Sequence, residues 1–439
     1  MIKNRQTGII WSLALFQVFF IFCNTESTDR RKVNSLASRE EATNIGAADS
    51  ATPVIENDGN KADEISVPKK LKSVEKPVLA SKLVKKSKIE VSGSIEKSPG
   101  KATSKLSSVH NIISDLPVGY VKDGSADYTI YIQRAIDRYD DLIFPAFPLL
   151  VNDSGLNIGS NKTLTFLKGS ELRLKPSSKK SYNIISLKGV SNVTISNVVI
   201  KGDRYSHIGN EGEYGMGIAI RGSRNINIFN SRISDCWGDG IYIGQERSNN
   251  APKDILIKDA YLRSNRRDGI SIISVDGLVL ENVYAGYQDG TKPMCGINFE
   301  TNNPDCEIRN VSVINPRTEN NQGSGIQIGL RTLLGGNAKK IDVKIINHID
   351  IGSGSFAVKI ACNRKTGAYA GSVGGLITII NPSWNKTLSG QPLAFITDQP
   401  DLKVKISSPK VKNSKGSTLN PLEIKAVLSK HSNGDLNIL

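Results

Sequence analysis

The sequence predicts an all-β protein, a parallel β-helix in which short strands form coils that stack on one another. A motif of two apolar residues in alternation, closed by Asn or Asp, recurs along the chain, and a second series of Gly-Ile strands lies between its copies. The composition agrees, because 39 glycines with 6% aromatic and 38% hydrophobic residues suit many strands and turns. One large globular core filling all 439 residues is therefore not expected.

The first 23 residues predict an export signal. Lys3 and Arg5 precede an apolar run from Gly8 to Phe22, which is short for a membrane span. We therefore expect a protein that is secreted or held in the cell envelope, with an uncleaved anchor as a further alternative. Cys23 closes the apolar run and is a candidate site for a lipid anchor, although bulky residues precede it.

Residues 24–108 predict a disordered, Lys- and Ser-rich tether. The stretch 67–105 carries 11 lysines against 3 acids, out of a net charge of +15 for the whole chain. Such a segment buries too little apolar surface to offset the entropy lost on ordering. It lacks interleaved aromatic residues and no recognition motif follows it, so we expect no nucleic-acid partner. Attachment to an anionic surface of the cell envelope suits this charge.

The folded domain is expected to span residues 109–384, followed by a coil or capping extension over 385–439. Its first element is an amphipathic helix within 126–141. The apolar residues of this helix fall on one face, at Ile132, Ala135, Ile136 and Tyr139. One helix ahead of many strands predicts an N-terminal cap over the open end of the coil stack, where an uncovered edge would promote aggregation.

Two series of strands follow the helix and define the coils. The first series ends at Asn197, Asn230, Asp259, Asn282, Asn310, Asn347 and Asn381. The second begins at Gly217, Gly240, Gly269, Gly296 and Gly325. Successive coils stack at about 4.8 Å, so that each strand pairs with its equivalent in the next coil. Asparagines at one corner either bond from coil to coil as a ladder or serve simply as turn residues.

Two stretches of the chain resemble a known group of proteins. The run DGSADYTIYIQRAIDRYDDLIFPAFPLLV resembles the N-terminal cap of the pectin-lyase-like superfamily, and SDCWGDGIYIG followed by RRDGISII is similar to the active-site coils of family 28 polygalacturonases. The resemblance covers roughly residues 110–385 and implies a right-handed parallel β-helix that acts on a polysaccharide. Asp239 occupies the position of a catalytic acid in that pattern. The other three motif coils depart from it, at Tyr214-Gly215-Met216, Asp268-Gly269 and MCGINFE.

Asp239 and Asp268 are the main candidates for catalysis. Each precedes the Gly-Ile of its coil, so stacking places their Cα atoms about 5 Å apart on the outer wall. Two carboxyls this close raise one pKa and supply an acid and a base together, and the spacing suits a retaining glycosidase. The pair also suits a hard cation such as Ca²⁺, as in lyase or epimerase chemistry, although no cofactor is required and the metal stays unknown. The alternative is that both are turn aspartates.

Further candidates lie near this pair in the sequence. Glu213, in the long loop KGDRYSHIGNEGEYG, is a third candidate acid or base. The candidate substrate-binding residues are Trp237 and Tyr242, which offer ring faces to sugars, Arg247 and Arg267, which suit uronate or sulfate, and Asn298 and Glu300. An outward row is expected to lie along a glycan, formed by Ala219, Tyr242, Ser271, Asn298 and Gln327.

We therefore expect an extracellular polysaccharide-active protein that cleaves or modifies an acidic glycan, as a glycoside hydrolase or a polysaccharide lyase. The alternative is a noncatalytic glycan-binding or cell-envelope structural β-helix. The two differ in whether Asp239, Asp268 and Glu213 share one solvent-facing groove. The sequence leaves open whether the protein is a monomer or a trimer.

Overall fold

The computed structural model describes residues 109–364, 370–385 and 391–439. The predicted export signal, Cys23 and the predicted tether lie outside the described residues. Within them the chain forms 31 β-strands, two α-helices and two 3-10 helices. The helices are η1 (Ile112–Asp115), α1 (Thr129–Arg138), η2 (Arg331–Gly335) and α2 (Pro421–Ser429).

The strands form three sheets of 12, 10 and 9 strands. The first sheet contains β1 (His110–Asn111), β2 (Asp141–Phe144), β5 (Lys162–Phe166), β8 (Ser191–Ser196), β11 (Arg224–Phe229), β14 (Lys253–Lys258), β17 (Val275–Glu281), β20 (Ile308–Ile314), β23 (Lys339–Ile346), β26 (Val373–Ile380), β29 (Leu402–Ser407) and β31 (Asp435–Ile438). The second contains β3 (Pro148–Val151), β6 (Glu171–Leu174), β9 (Val199–Lys201), β12 (Arg232–Ser234), β15 (Tyr261–Arg263), β18 (Tyr284–Gly286), β21 (Arg317–Glu319), β24 (Ile349–Ile351), β27 (Ser383–Asn385) and β30 (Lys410–Lys412). The third contains β4 (Leu156–Asn157), β7 (Ser181–Lys188), β10 (Tyr214–Arg221), β13 (Ile241–Gly244), β16 (Ile270–Ile272), β19 (Ile297–Glu300), β22 (Ile326–Gly329), β25 (Val358–Cys362) and β28 (Leu393–Thr397).

The predicted parallel β-helix is confirmed. Each full coil contributes one strand to each sheet, as β11, β12 and β13 do, and each strand pairs in parallel with its equivalent one coil away. The Gly-Ile series forms five of the nine strands of the third sheet in the predicted register, with its outward residues aligned in one column from Ala219 to Gln327. Parallel strands that face a packed interior on one side suit the near-continuous Ile and Val content of these segments.

The hydrophobic core fills the inside of the coils. One inward column of the third sheet is fully buried and consists of Ile218, Ile241, Ile270, Ile297, Ile326 and Val358. Larger side chains stack in the same way, as shown by Phe144 and Phe166, whose ring centroids lie 3.9 Å apart. Because similar side chains recur at the coil spacing, each apolar column packs closely.

An asparagine ladder runs along the corner between the first and second sheets, as one of the two sequence alternatives predicted. The amide of Asn282 donates to Asp259 at 2.8 Å, that of Asn315 to Asn282 at 3.0 Å, and that of Asn347 to Asn315 at 2.9 Å. These corner residues also have positive φ, 56° for Asp259 and 52° for Asn315, which Asn and Asp tolerate better than other side chains. The corner residues are therefore both turn residues and a ladder.

One predicted member of this ladder is wrong. Asn315 occupies the corner that the sequence assigned to Asn310, since Val311 and Val313 are the inward residues of β20. Asn310 instead belongs to a second series of positive-φ corners, at the start of the strands of the first sheet. This series consists of Asn161, Asn192, Asn225, Asp254, Gly277 and Asn310. The motif x-Asn-apolar at the start of these strands is the signal that the sequence analysis missed.

The two α-helices lie toward the two ends of the described chain, α1 before most of the strands and α2 after β30. The predicted amphipathic helix is α1, with Ile132, Ala135 and Ile136 buried and with contacts to η1 and β4. Its role as a cap over the open coil stays a prediction. At the other end, β28, β29 and β30 continue the three sheets, so the coils run to Lys412, beyond the predicted boundary at 384. In the part of the chain that the structure describes, no helix has the length and apolar character needed to cross a membrane.

Replacing Asn315 by Ala should lower the free energy of unfolding by about 2 kcal/mol, because two ladder hydrogen bonds are lost and Ala disfavours positive φ. The Asn315→Gly variant keeps the backbone conformation but not the amide, so it should lose less. Urea unfolding followed by circular dichroism measures both. Equal stability of Asn315→Ala and the parent protein would show that the ladder does not stabilise the stack.

Candidate functional site

The Asp239 and Asp268 carboxyls lie on adjacent coils at the start of β13 and β16. Asp239 Oδ1 accepts a hydrogen bond from the backbone N–H of Asp268 at 3.1 Å, and Asp268 Oδ1 accepts one from Cys295 at 2.7 Å. The coils approach closely here because glycine follows each aspartate. A Cβ on Gly240 would lie 2.8 Å from the carbonyl oxygen of Gly269, so only glycine fits. The structure thus brings the two predicted residues together.

Arg267 joins both carboxyls to a third. Its Nη1 lies 3.3 Å from Asp239 Oδ2 and 3.5 Å from Asp268 Oδ2, and its Nη2 lies 2.6 Å from Glu300 Oε2. Three acids from three successive coils therefore share one guanidinium. We call these residues, Asp239, Arg267, Asp268 and Glu300, the Arg267 cluster.

Two polar side chains complete the surroundings of Asp268. Ser271 Oγ and Asn298 Nδ2 each donate to Asp268 Oδ2 at 3.0 Å. The same Asn298 amide donates to Glu300 Oε2 at 3.2 Å, and Gln327 donates to Asn298 Oδ1 at 3.2 Å. Asn298 and Arg267 thus both connect the buried Asp268 to Glu300.

Burial sets the electrostatics of the Arg267 cluster. The side chains of Asp239 and Asp268 are 0% exposed. Burial raises the pKa of Asp239 against the opposing effect of Arg267, and burial together with the charge of Asp239 raises the pKa of Asp268 to about 7. Burial and the neighbouring charge therefore favour the protonated form of one of the two carboxyls, because two buried anions beside one cation are not both compensated.

The cluster reaches solvent through Glu300, whose side chain is 39% exposed, whereas that of Arg267 is 9% exposed. Tyr214, a residue without an assigned role in the sequence analysis, belongs to the same region. Burial and a hydrogen bond to the Glu213 carboxylate raise the pKa of Tyr214 to about 12, with weaker effects from Arg267 and Glu300. The structure therefore places Glu213 beside Tyr214, and not in direct contact with the aspartate pair.

The predicted solvent-facing position of the aspartate pair is wrong. Asp239 and Asp268 are covered by the Arg267 side chain, which the sequence analysis expected to extend toward a ligand. The predicted open polar row is also wrong, because Ala219, Ser271 and Asn298 are buried. Side-chain packing over the sheet, which strand periodicity does not report, closes this part of the wall.

Trp237, Tyr242 and Arg247 do not join the cluster. Trp237 is buried, with the His207 ring 3.9 Å and the Arg266 guanidinium 3.8 Å from its ring, so its predicted role as an exposed sugar platform is wrong. Tyr242 is half-buried and its ring carries the Arg221 guanidinium at 3.9 Å. Arg247 is exposed, and its Nε lies 3.8 Å from Glu246.

A second buried network lies beside the cluster. It was not predicted from the sequence, although one of its members, His207, lies in the long loop KGDRYSHIGNEGEYG. Asp203 accepts hydrogen bonds from the Tyr182 hydroxyl and from Ser177 N, and His207 Nδ1 lies 2.9 Å from its Oδ2. This network fixes the start of the long loop against the third sheet. A buried Asp four residues before a His is the signal that would have found it.

The arrangement of acids bears on the Ca²⁺ alternative. Arg267 occupies the position between Asp239 and Asp268 that a cation would take. Within residues 109–364, 370–385 and 391–439, no group of three or more His, Cys, Asp or Glu side chains is arranged to hold a metal ion. The cluster presents one half-exposed carboxyl, that of Glu300. The Arg267 guanidinium connects it to Asp239 and Asp268, and the Asn298 amide connects it to Asp268.

Comparisons with known proteins agree with the fold. Residues 151–313 match the family model described as right handed beta helix region. Two proteins of Bacillus subtilis (strain 168) are similar in sequence. Uncharacterized protein YclG is 26% identical over 220 residues, which are 43% of this chain and 38% of that protein. The SPbeta prophage-derived uncharacterized protein YorA is 30% identical over 162 residues, 33% of this chain and 28% of that protein. The matches thus span well under half of either relative.

Solved structures of low sequence identity are also similar to this chain. The N-terminal fragment of bacteriophage phi29 gene product 12 has a TM-score of 0.51 and 16% identity, over 70% of this chain and 58% of that one. The mannuronan C-5 epimerase AlgE4 A-module of Azotobacter vinelandii has a TM-score of 0.49 and 18% identity, over 75% and 95%. The Streptococcus pneumoniae surface adhesin PfbA has a TM-score of 0.48 and 14% identity, over 70% and 88%. At such identities the likeness concerns the fold alone. This chain thus folds as a parallel β-helix, and its residues 151–313 match the right handed beta helix family model.

Proposed function

We propose that this protein acts on an acidic polysaccharide outside the cell, with the Arg267 cluster as its reactive site. The observation that carries the proposal is the gathering of three carboxyls from successive coils around one guanidinium, with two of the carboxyls fully buried. Export, which the proposal requires, rests on the apolar run of the first 23 residues.

The cost of such a cluster supports a functional role. Each buried ion loses several kcal/mol of hydration, and a buried ion pair often contributes less to stability than an apolar pair of the same volume. The Nε of Arg267 is in addition buried without a hydrogen-bond partner among the described residues. Strongly shifted carboxyl pKa values beside a specific charge partner are typical of active sites.

In the proposed mechanism Glu300 is the residue that meets the sugar. It is the carboxyl of the cluster that solvent reaches, and it is positioned by Arg267 and Asn298. A half-exposed carboxylate suits a general base that takes a proton from an attacking water or from the carbon beside a uronate carboxyl, and the Glu300 carboxyl so formed can return that proton to the leaving glycosidic oxygen. Asp239 and Asp268 then act as positioning residues that hold Arg267 in place.

A noncatalytic β-helix that binds glycans or builds the cell envelope is the second candidate. The observation that favours it is that Asp239 and Asp268 each accept the backbone N–H of the following coil, as purely structural turn residues do. That role needs an acceptor oxygen but no charge. Replacing Asp239 by Asn therefore separates the two candidates, because the acceptor is kept and the charge is removed.

The Glu300→Gln variant should lose turnover of an acidic polysaccharide by about 100-fold or more, since Gln neither accepts nor gives up a proton in the reaction. The parent protein is incubated with a panel of uronic-acid polymers, with and without Ca²⁺. New reducing ends report hydrolysis and the absorbance of unsaturated products reports elimination. Glu307→Gln, at the side of the first sheet where Glu307 pairs with Arg309, is the matched control and should keep full turnover.

Two results would contradict the proposal. Glu300→Gln with unchanged turnover would remove Glu300 from the reaction. Binding of a polymer by the parent protein with neither kind of product, across the whole panel, would favour the noncatalytic candidate.

Stability should depend on pH through Asp268. Because its pKa is raised to about 7 in the folded protein, the folded state binds the proton more tightly than the unfolded chain. The contribution of Asp268 is therefore most favourable below the unfolded pKa of about 4 and is lost as pH rises toward 7. The Asp268→Asn variant should lose less stability than the parent protein between pH 5 and pH 8, as measured by thermal unfolding.

The exposed Asp401 provides a control for this comparison. Asp401→Asn makes the same chemical change outside the cluster and should follow the pH profile of the parent protein. If Asp268→Asn and the parent protein have parallel profiles, Asp268 does not hold a proton in the folded state.

A further inference from the structure

A row of arginines and tyrosines covers the outer face of the second sheet. The strand register aligns Arg232, Tyr261, Tyr284 and Arg317 on four successive coils. Lys201 and Arg263 stand in the neighbouring row. These six residues form the Arg-Tyr face. It belongs to a different sheet from the Arg267 cluster, so it is independent of the acids there.

The two tyrosines form a rigid stack between the arginines. The ring centroids of Tyr261 and Tyr284 lie 4.5 Å apart with planes 7° from parallel, and the Arg232 guanidinium lies 5.3 Å from the centroid of Tyr261. The Tyr284 hydroxyl extends over Gly286, where a Cβ would lie 2.6 Å from it. Both rings are half-buried, and the Arg263 guanidinium donates to the Tyr261 hydroxyl at 3.3 Å.

The Arg-Tyr face carries an excess of positive charge. Lys201, Arg232, Arg263 and Arg317 are all exposed. On these coils the two rows contain one acidic residue, Glu319. It pairs with Arg317 at 2.8 Å and accepts a hydrogen bond from the Tyr287 hydroxyl. Four cations against one anion, on a fixed surface of stacked strands, favour an anionic ligand.

We propose that the Arg-Tyr face binds a linear polyuronate chain that lies along the stack of coils. The cations recur at multiples of the coil spacing of about 4.8 Å. A polymer with a carboxylate on every sugar offers charges at a short regular interval, so one chain can meet guanidiniums on several coils. Guanidinium groups pair with carboxylates through two parallel hydrogen bonds, and tyrosine hydroxyls add donors between them.

The ring contacts favour a glycan over a nucleic acid. Single-stranded nucleic acids bind where aromatic faces are free to stack on bases. Here Tyr261 and Tyr284 face each other, and the Arg263 guanidinium lies 4.1 Å from the ring centroid of Tyr287. The choice of a uronate polymer rests on the proposed function, whereas the existence of an anion-binding face does not.

Binding of polygalacturonate to the full chain tests this proposal. The Arg232→Glu, Arg317→Glu double variant should bind at least about tenfold more weakly, because both ends of the row then repel carboxylates. The matched control is Arg224→Glu, Lys253→Glu, which changes the charge equally at two exposed positions on the first sheet and should bind as the parent protein does. Both double variants carry Glu300→Gln, so that the polymer is not consumed, and their thermal unfolding is compared with that of Glu300→Gln alone.

Three outcomes overturn the inference. Equal weakening in both double variants would assign binding to overall charge or to the basic stretch 67–105. Equal binding of a fully methyl-esterified, neutral polymer would exclude recognition of carboxylates. Single-stranded RNA that displaces polygalacturonate at equal concentration, and loses affinity in the same variant, would identify a nucleic-acid surface instead.

Failure of the proposed function gives a different result. An inactive parent protein that still binds polygalacturonate through the Arg-Tyr face would keep this inference and reject catalysis. Turnover of a short oligouronate that is unaffected by Arg232→Glu, Arg317→Glu, with no loss of polymer binding in that variant, would keep catalysis and reject the Arg-Tyr face.

Discussion

Backbone hydrogen bonds between successive coils fix which residues stack, and every other feature of this protein depends on that register. Ile241 N donates to Gly269 O at 3.0 Å, and Ile270 N donates to Gly296 O at 3.1 Å, one coil further along. A residue type that recurs in the sequence therefore becomes a column in space. For isoleucine and asparagine columns this is favourable, since like side chains pack or share amide hydrogen bonds. For acids it is unfavourable, because like charges meet at the coil spacing.

In this chain the Arg267 cluster compensates the charges of such an acid column. Asp239 and Asp268 stack on neighbouring coils, and the long side chain of Arg267 folds over both. The guanidinium compensates one charge, while the pKa of Asp268, raised to about 7, favours the neutral form of the second carboxyl at lower pH. Glu300 then completes the cluster at its solvent side. Removing Arg267 would leave buried anions without a counter-charge, which costs more than the pair itself gains.

The sequence predicts the coils well because their periodicity is local. Alternating apolar residues and glycines determined the third sheet in register, and the neighbouring positions of Asp239 and Asp268 follow from the same pattern. The wrong assignment of a ladder corner to Asn310 in place of Asn315 shows the limit of prediction from periodicity. The segments CEIRN and VSVIN both fit the motif, and only packing against the adjacent coil distinguishes them. A strand pattern likewise does not show in which direction the Arg267 side chain extends. The burial of Asp239 and Asp268 could therefore not be predicted from the sequence.

Another buried carboxyl, that of Asp350, shows why the charge of the cluster is informative. Asp350 lies inside the coils, where the hydroxyls of Thr318 and Ser353 each donate to its Oδ1 at 2.6 Å. Burial raises its pKa to about 6, and the hydrogen bonds around it involve neutral groups, including His348, whose pKa burial lowers to about 3. This chain can thus bury an acid with neutral donors alone. At Asp239 and Asp268 it instead holds a cation that also contacts the half-exposed Glu300, so a charged ligand at Glu300 would act on the whole cluster through Arg267.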